Sequence, residues 1–152
     1  MSSRNNATPF VAYVTEMHRA VHAVGLFLEA TCEGLVSQPE ALIILHLGLR
    51  SPSSINALHQ AFLHRRSTLT SVLDRLESKG LVRRRSSTAD RRSIDVSLTA
   101  RGKRLADSIA GALSELSAQV EASVTIRRED AERLRTVAEE ASDLQANSTQ
   151  RS

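Results

Sequence analysis

The 152-residue chain has one cysteine, three prolines, six glycines and no tryptophan, and only 3% of its residues are aromatic. Each shortage excludes something. A lone Cys32 cannot close an intrachain disulfide, so the fold is expected to rest on a hydrophobic core without covalent staples. There is no glycine-rich phosphate loop, no Gly-x-Ser-x-Gly and no His-Glu-x-x-His, so the common signatures of nucleotide-binding, hydrolytic and zinc enzymes are missing. The expectation is a protein that is not an enzyme and holds neither cofactor nor metal. The longest apolar stretch, Ala41 to Leu49, includes His46 and is far short of the ~20 residues of a membrane span. The Met-Ser-Ser-Arg-Asn-Asn start lacks the charged and apolar regions of a signal peptide, so a cytoplasmic location is expected.

What is present is an ordinary globular composition, 41% hydrophobic and 24% charged, sufficient for one packed unit. The net charge of +3 conceals an asymmetry. Residues 64–104 hold twelve Lys or Arg against four acids, a local balance of +8, while the rest of the chain holds eight bases and thirteen acids, or −5. Clustered cations release condensed counterions from phosphates, so the basic segment points to a polyanionic partner. The four aromatics, Phe10, Tyr13, Phe27 and Phe62, all precede that segment. Single-stranded nucleic acid is usually gripped by stacking bases on aromatic rings, so duplex DNA is the preferred partner.

Hydrophobic periodicity divides the chain. Phe10, Tyr13, Val14, Met17, Val21, Val24 and Phe27 or Leu28 recur at three and four residues, predicting a helix over 9–33 with Pro9 in its first turn. Ser37 and Glu40 form a capping-box pair that opens a second helix carrying Leu42, Ile43, Leu45, His46 and Leu49. Ser51-Pro52-Ser53 ends it and opens a short third helix with Ile55, Leu58, Phe62 and Leu63 on its buried side. Leu69, Val72, Leu73 and Leu76 define a fourth helix over Arg66–Lys79, stopped by Gly80. Its opposite face carries Ser67, Ser71, Asp74 and Ser78, flanked by Thr68 and Arg75 on one side and Thr70 on the other. The period then changes to two: Ile94, Val96 and Leu98 alternate with polar residues and are expected to pair with Leu81–Arg85 as a hairpin with a basic tip. Thr99 caps a long helix to Val124, and a last helix runs from about Arg128 to 146.

The layout is mainly α with a small β-hairpin wing, a winged helix-turn-helix flanked by long N- and C-terminal helices. Its expected segments are 1–36 (N-terminal helix), 37–104 (DNA-binding domain) and 105–152 (C-terminal helices). A helix with a small polar face fits a major groove ~12 Å wide, and an arginine-tipped hairpin fits the adjacent minor groove. Arg65, Arg66, Ser67, Thr68, Thr70, Ser71 and Arg75 are the expected contacts from the helix.

Three spaced motifs carry a family resemblance. Leu76-Glu77-Ser78-Lys79-Gly80-Leu81-Val82-Arg83, Asp90-Arg91-Arg92, and Val96-Ser97-Leu98-Thr99-Ala100-Arg101-Gly102 resemble, in order and spacing, the signature of MarR (multiple antibiotic resistance) regulators. Ser67-Thr68-Leu69-Thr70 is similar to the start of that family's recognition helix. The chain departs from the pattern at Leu63, where the family often has a turn glycine, and at His59, where it often has a small residue.

The resemblance implies a transcription regulator, most often a repressor, that acts as a homodimer on a pseudo-palindromic operator, with 1–36 and 105–152 as its N- and C-terminal dimerisation helices. It implies Arg92 as the minor-groove arginine, Asp90 as its brace and Arg91 as a phosphate contact. It also implies a small-molecule effector. His18, Arg19, His22 and His46 are the polar groups nearest the apolar stripes and the expected contacts of an anionic aromatic compound. Two alternatives stand beside this reading: a winged-helix redox sensor using Cys32, and a nucleic-acid or protein interaction module without ligand response. The acidic neighbours Glu29 and Glu33 would raise a thiol pKa and argue against the first.

Overall fold

A computed structural model of the chain describes residues 7–88 and 92–149. Helix α1 spans Ala7–Thr31, α2 Gln38–Leu49 and α3 Ile55–Phe62, with a two-residue strand β1, Ser53–Ser54, just before α3. Helix α4 (Arg66–Ser78), strands β2 (Val82–Ser86) and β3 (Ile94–Leu98), and the long helices α5 (Ala100–Glu121) and α6 (Arg128–Thr149) complete the described order.

The core gathers around α2, which packs against α1, α4, α5 and β3. Ala41, Ile43, Ile44 and Leu47 of α2 are buried with Leu28 of α1, Leu58 of α3, Leu69, Val72, Leu73 and Leu76 of α4, and Val96 and Leu98 of β3. The four apolar positions of α4 are therefore its buried face, as their 3.6-residue period predicts. Caps fix the boundaries. The Ser37 N–H donates to Glu40 Oε2 at 2.9 Å, the Ser54 hydroxyl accepts from Ala57 N–H, and Thr99 Oγ1 accepts from Gly102 N–H at 3.0 Å. Gly80, at φ +66°, reverses the chain out of α4.

Three expectations need correction. The sheet has three strands in the order β1-β3-β2, because Ser53 pairs with Val96 and Ser54 with Asp95, in addition to the expected β2–β3 hairpin. Ile94 is exposed although it alternates in step with Val96 and Leu98, because it lies at the distal end of the hairpin, beyond the core. Leu63 is not part of the buried side of α3. It caps that helix in the left-handed region at φ +52° and its side chain is half exposed.

The long helices divide between core and solvent. Leu28 of α1 and Ala106 and Ile109 of α5 are buried, whereas Phe10, Val11, Val14 and Val21 of α1, Val120 near the end of α5 and Val124 and Ile126 just beyond it are exposed. Leu134 and Leu144 of α6 are exposed as well. No helix among the described residues is long and apolar enough to cross a membrane.

Candidate nucleic-acid interface

Helix α4 presents one continuous polar face. Arg65, Arg66, Ser67, Thr68, Thr70 and Ser71 are all exposed at its N-terminal half, while Leu69, Val72 and Leu73 anchor the opposite side. Two hydroxyls are parked on their own helix: Thr70 Oγ1 donates to the Arg66 carbonyl at 2.9 Å and Ser71 Oγ to the Ser67 carbonyl at 3.0 Å. Their lone pairs remain turned outward as acceptors. Arginines at the entry, hydroxyls along the face and no bulky side chain give a surface that can approach base edges and phosphates together.

The far end of α4 is held by a buried acid that sequence reading did not single out. Glu40, beyond its capping role, is 1% exposed and accepts from Arg75 Nε at 2.9 Å and Lys79 Nζ at 2.7 Å. Burial alone would push its carboxyl up, but Lys79, the Ser37 N–H and Arg75 outweigh it and hold the pKa below the ordinary 4.5. Arg75, expected as a DNA contact, thus spends its Nε on α2. The clue was a glutamate in a capping box, a position that implies one bond but not the two cations 35 and 39 residues away.

The wing separates arginines that look alike in sequence. Because side chains alternate across a strand, Arg83 and Arg85 lie exposed on one face of β2 and Arg84 lies on the other, over α4. Arg83 Nε donates to Ser97 Oγ across the hairpin at 3.1 Å. Arg84 donates from Nη1 to Asp74 Oδ1 at 2.6 Å and to Glu77 Oε2 at 3.2 Å, and from Nη2 to the Thr70 carbonyl at 3.4 Å. Arg92 is exposed at the returning end of the wing. Asp90 and Arg91 lie outside the described residues. At the root of the wing, Thr99 Oγ1 and Arg101 Nη1 bond the carbonyls of Gly80 and Lys79, closing off the end of α4.

The expected effector contacts do not come together. His46 lines a cavity of about 770 Å³ between α2, α3 and α6, with Arg50, Gln60, Leu63, Leu134 and Arg135. Its ring meets Phe62 edge-on at 5.4 Å, and burial, with the Arg50 charge, lowers its pKa from 6.5. His18, Arg19 and His22 sit on the exposed face of α1 and do not line this cavity. Arg19 pairs with Glu16 there, and the rings of His18 and His22 stack at 6.2 Å. No group of three His, Cys, Asp or Glu suited to a metal occurs among the described residues. Cys32 is buried, and that burial pushes its thiol up, which disfavours the reactive thiolate.

Residues 36–94 match the sequence profile of the MarR family. No curated protein matches the chain in sequence. Solved structures are similar over almost its whole length. A MarR transcriptional regulator from Methanosarcina mazei Go1 is 20% identical with a TM-score of 0.68, covering 88% of this chain and 99% of that one. AbfR of Staphylococcus epidermidis is 20% identical with a TM-score of 0.72, covering 95% and 98%. The regulator MOSR of M. tuberculosis, solved in complex with DNA, is 20% identical with a TM-score of 0.68, covering 86% and 96%. At such identities the likeness is one of fold. The chain thus has the fold of these regulators, and its central segment, residues 36–94, is similar to the MarR family.

Proposed function

We propose that the protein is a homodimeric, sequence-specific duplex-DNA-binding repressor of the cytoplasm that releases its operator when a small molecule binds. The observation that carries the reading is the exposed face of α4, where Ser67, Thr68, Thr70 and Ser71 follow Arg65 and Arg66, beside a wing bearing Arg83, Arg85 and Arg92. In this reading α4 enters the major groove, the wing enters the minor groove, and Asp90, Arg91 and Arg92 act at the wing tip. MOSR, similar in fold, is solved in complex with DNA.

The dimer reading rests on apolar surface. Phe10, Val11, Val14 and Val21 of α1, with Leu134 and Leu144 of α6, are exposed in the single chain, more than a solitary soluble helix layer leaves uncovered. Segments 1–36 and 105–152 would then be shared between two copies, with 37–104 addressing each half of a pseudo-palindrome. The His46 cavity supports the effector reading, since it lies between the winged domain and α6. A ligand there shifts DNA affinity only if it prefers one spacing of the two α4 helices.

The test is a gel shift on the DNA upstream of the gene at rising salt. The expected result is a steep loss of affinity, with a slope of about −0.9 per phosphate neutralised. A flat salt response would overturn the electrostatic basis. Arg92→Ala should weaken binding with helicity and dimerisation intact, and unaltered affinity would remove the wing from the mechanism.

A further inference from the structure

Arg84 has an environment unlike that of the arginines beside it. Its side chain is 22% exposed, while Arg83 and Arg85 face solvent. Its guanidinium reaches two carboxylates and a main-chain carbonyl on three successive levels of α4: Thr70, Asp74 and Glu77. Its own backbone N–H donates to Glu77 Oε1 at 3.2 Å, so strand and side chain hold the same helix. The Nε is buried and makes no hydrogen bond. A guanidinium with both Nη atoms engaged inward and its Nε covered has little left to offer a phosphate.

We propose that Arg84 is a positioning residue that locks the wing to the recognition helix, fixing the angle at which the major-groove and minor-groove elements meet one half-site. The inference rests on the DNA-binding reading above. Two physical consequences follow from the geometry. The bond to Asp74 lies on the outward-facing polar side of α4, so Arg84 also neutralises carboxylates that would otherwise face the DNA backbone. And because β2 pairs with β3 through Arg84 and Val96, a change in the angle between Arg84 and α4 moves the whole hairpin, including Arg92.

The experiment compares wild type, Arg84→Ala, Arg92→Ala and the double variant on a duplex chosen by the gel shift, with affinities taken by fluorescence anisotropy at several salt concentrations. Arg84→Ala is expected to weaken binding about tenfold, the equivalent of one charge-assisted hydrogen bond. Arg92→Ala should flatten the salt slope, and adding Arg84→Ala to it should flatten the slope no further, because Arg84 itself touches no phosphate. The two losses should be less than additive, since a misplaced wing has less to lose from its arginine. Asp74→Asn combined with Glu77→Gln should reproduce the subadditivity.

A slope that falls by about one more when Arg84→Ala is added to Arg92→Ala would show a direct phosphate contact and overturn the proposal. Full additivity with Arg92→Ala would equally overturn it, leaving only local stability. Circular dichroism checks folding, and if the alanine variant is unfolded, Arg84→Lys carries the same cycle, because an ammonium cannot span both carboxylates and the Thr70 carbonyl. A wild type that shifts no duplex removes the DNA-binding reading and this inference together. A wild type that binds while Arg84→Ala binds equally well removes the inference alone.

Discussion

Replacing Glu40 by Gln tests how the recognition helix is anchored. The carboxylate is 1% exposed and accepts from Ser37 N–H, Arg75 Nε and Lys79 Nζ at 2.9, 2.9 and 2.7 Å. Desolvating such an ion costs several kcal/mol, offset only because every bond is charge-assisted, each contributing roughly 1.5–3 kcal/mol net. The Arg75 and Lys79 side chains are 52% and 31% exposed, so after substitution both can turn to water instead of remaining as uncompensated charges. That discount brings the expected loss to about 2–3 kcal/mol at pH 7, or roughly 5–10 °C in Tm for a chain of this length.

The pH dependence gives the sharper check. The Glu40 pKa is lowered on folding, so its contribution is complete above about 4.5, the unfolded value, and fades as pH falls through the lower folded value. A protonated Glu40 resembles the glutamine. Thermal melts by circular dichroism, at one fixed chain concentration because of the proposed dimer, should show the gap between wild type and Glu40→Gln closing on acidification. A gap below about 0.5 kcal/mol at pH 7, the scatter of a neutral surface change, would refute the anchoring argument. So would a large gap that persists unchanged to acid pH.

Three further outcomes are expected. A Cβ at Gly102 would lie 2.0 Å from the Leu81 carbonyl oxygen, which is backbone and cannot swing away. Gly102→Ala should therefore lower stability by about 3 kcal/mol in urea titrations, although helix propensity alone favours alanine by ~1 kcal/mol. Leu63→Gly should raise stability by about 1 kcal/mol, because a half-exposed leucine at φ +52° gives up little burial and sheds left-handed strain; an unchanged melt would contradict that strain. His46 has its pKa lowered from 6.5, so the unfolded chain binds its proton first and stability should rise with pH through the window just below 6.5; His46→Phe should flatten that rise in pH-dependent melts.

Much of the architecture was legible because it is local. The four apolar positions of α4, its stop at Gly80 and the Thr99 cap depend on residues three or four apart, and the structure places all of them as their spacing requires. What escaped depends on distance or on register. Glu40 finds Lys79 across 39 residues. Strand β1 has two residues, too few to show a period, and exists only because β3 offers it an edge. Arg83, Arg84 and Arg85 are indistinguishable until the pairing of β2 with β3 assigns each a side. By its apolar character Leu63 reads as the last residue of a helix, by the family pattern as a turn, and its left-handed backbone decides for the turn.

The short strand β1 has an effect out of proportion to its size. Since β3 is the middle strand, bonded to β1 just ahead of α3 and to β2 in the wing, neither groove-facing element is attached by a hinge of its own. The helix pair and the wing should therefore open as one cooperative unit. Amides of β3 around Val96 should exchange with deuterium only when the entire domain unfolds, in a single slow class with those of α4.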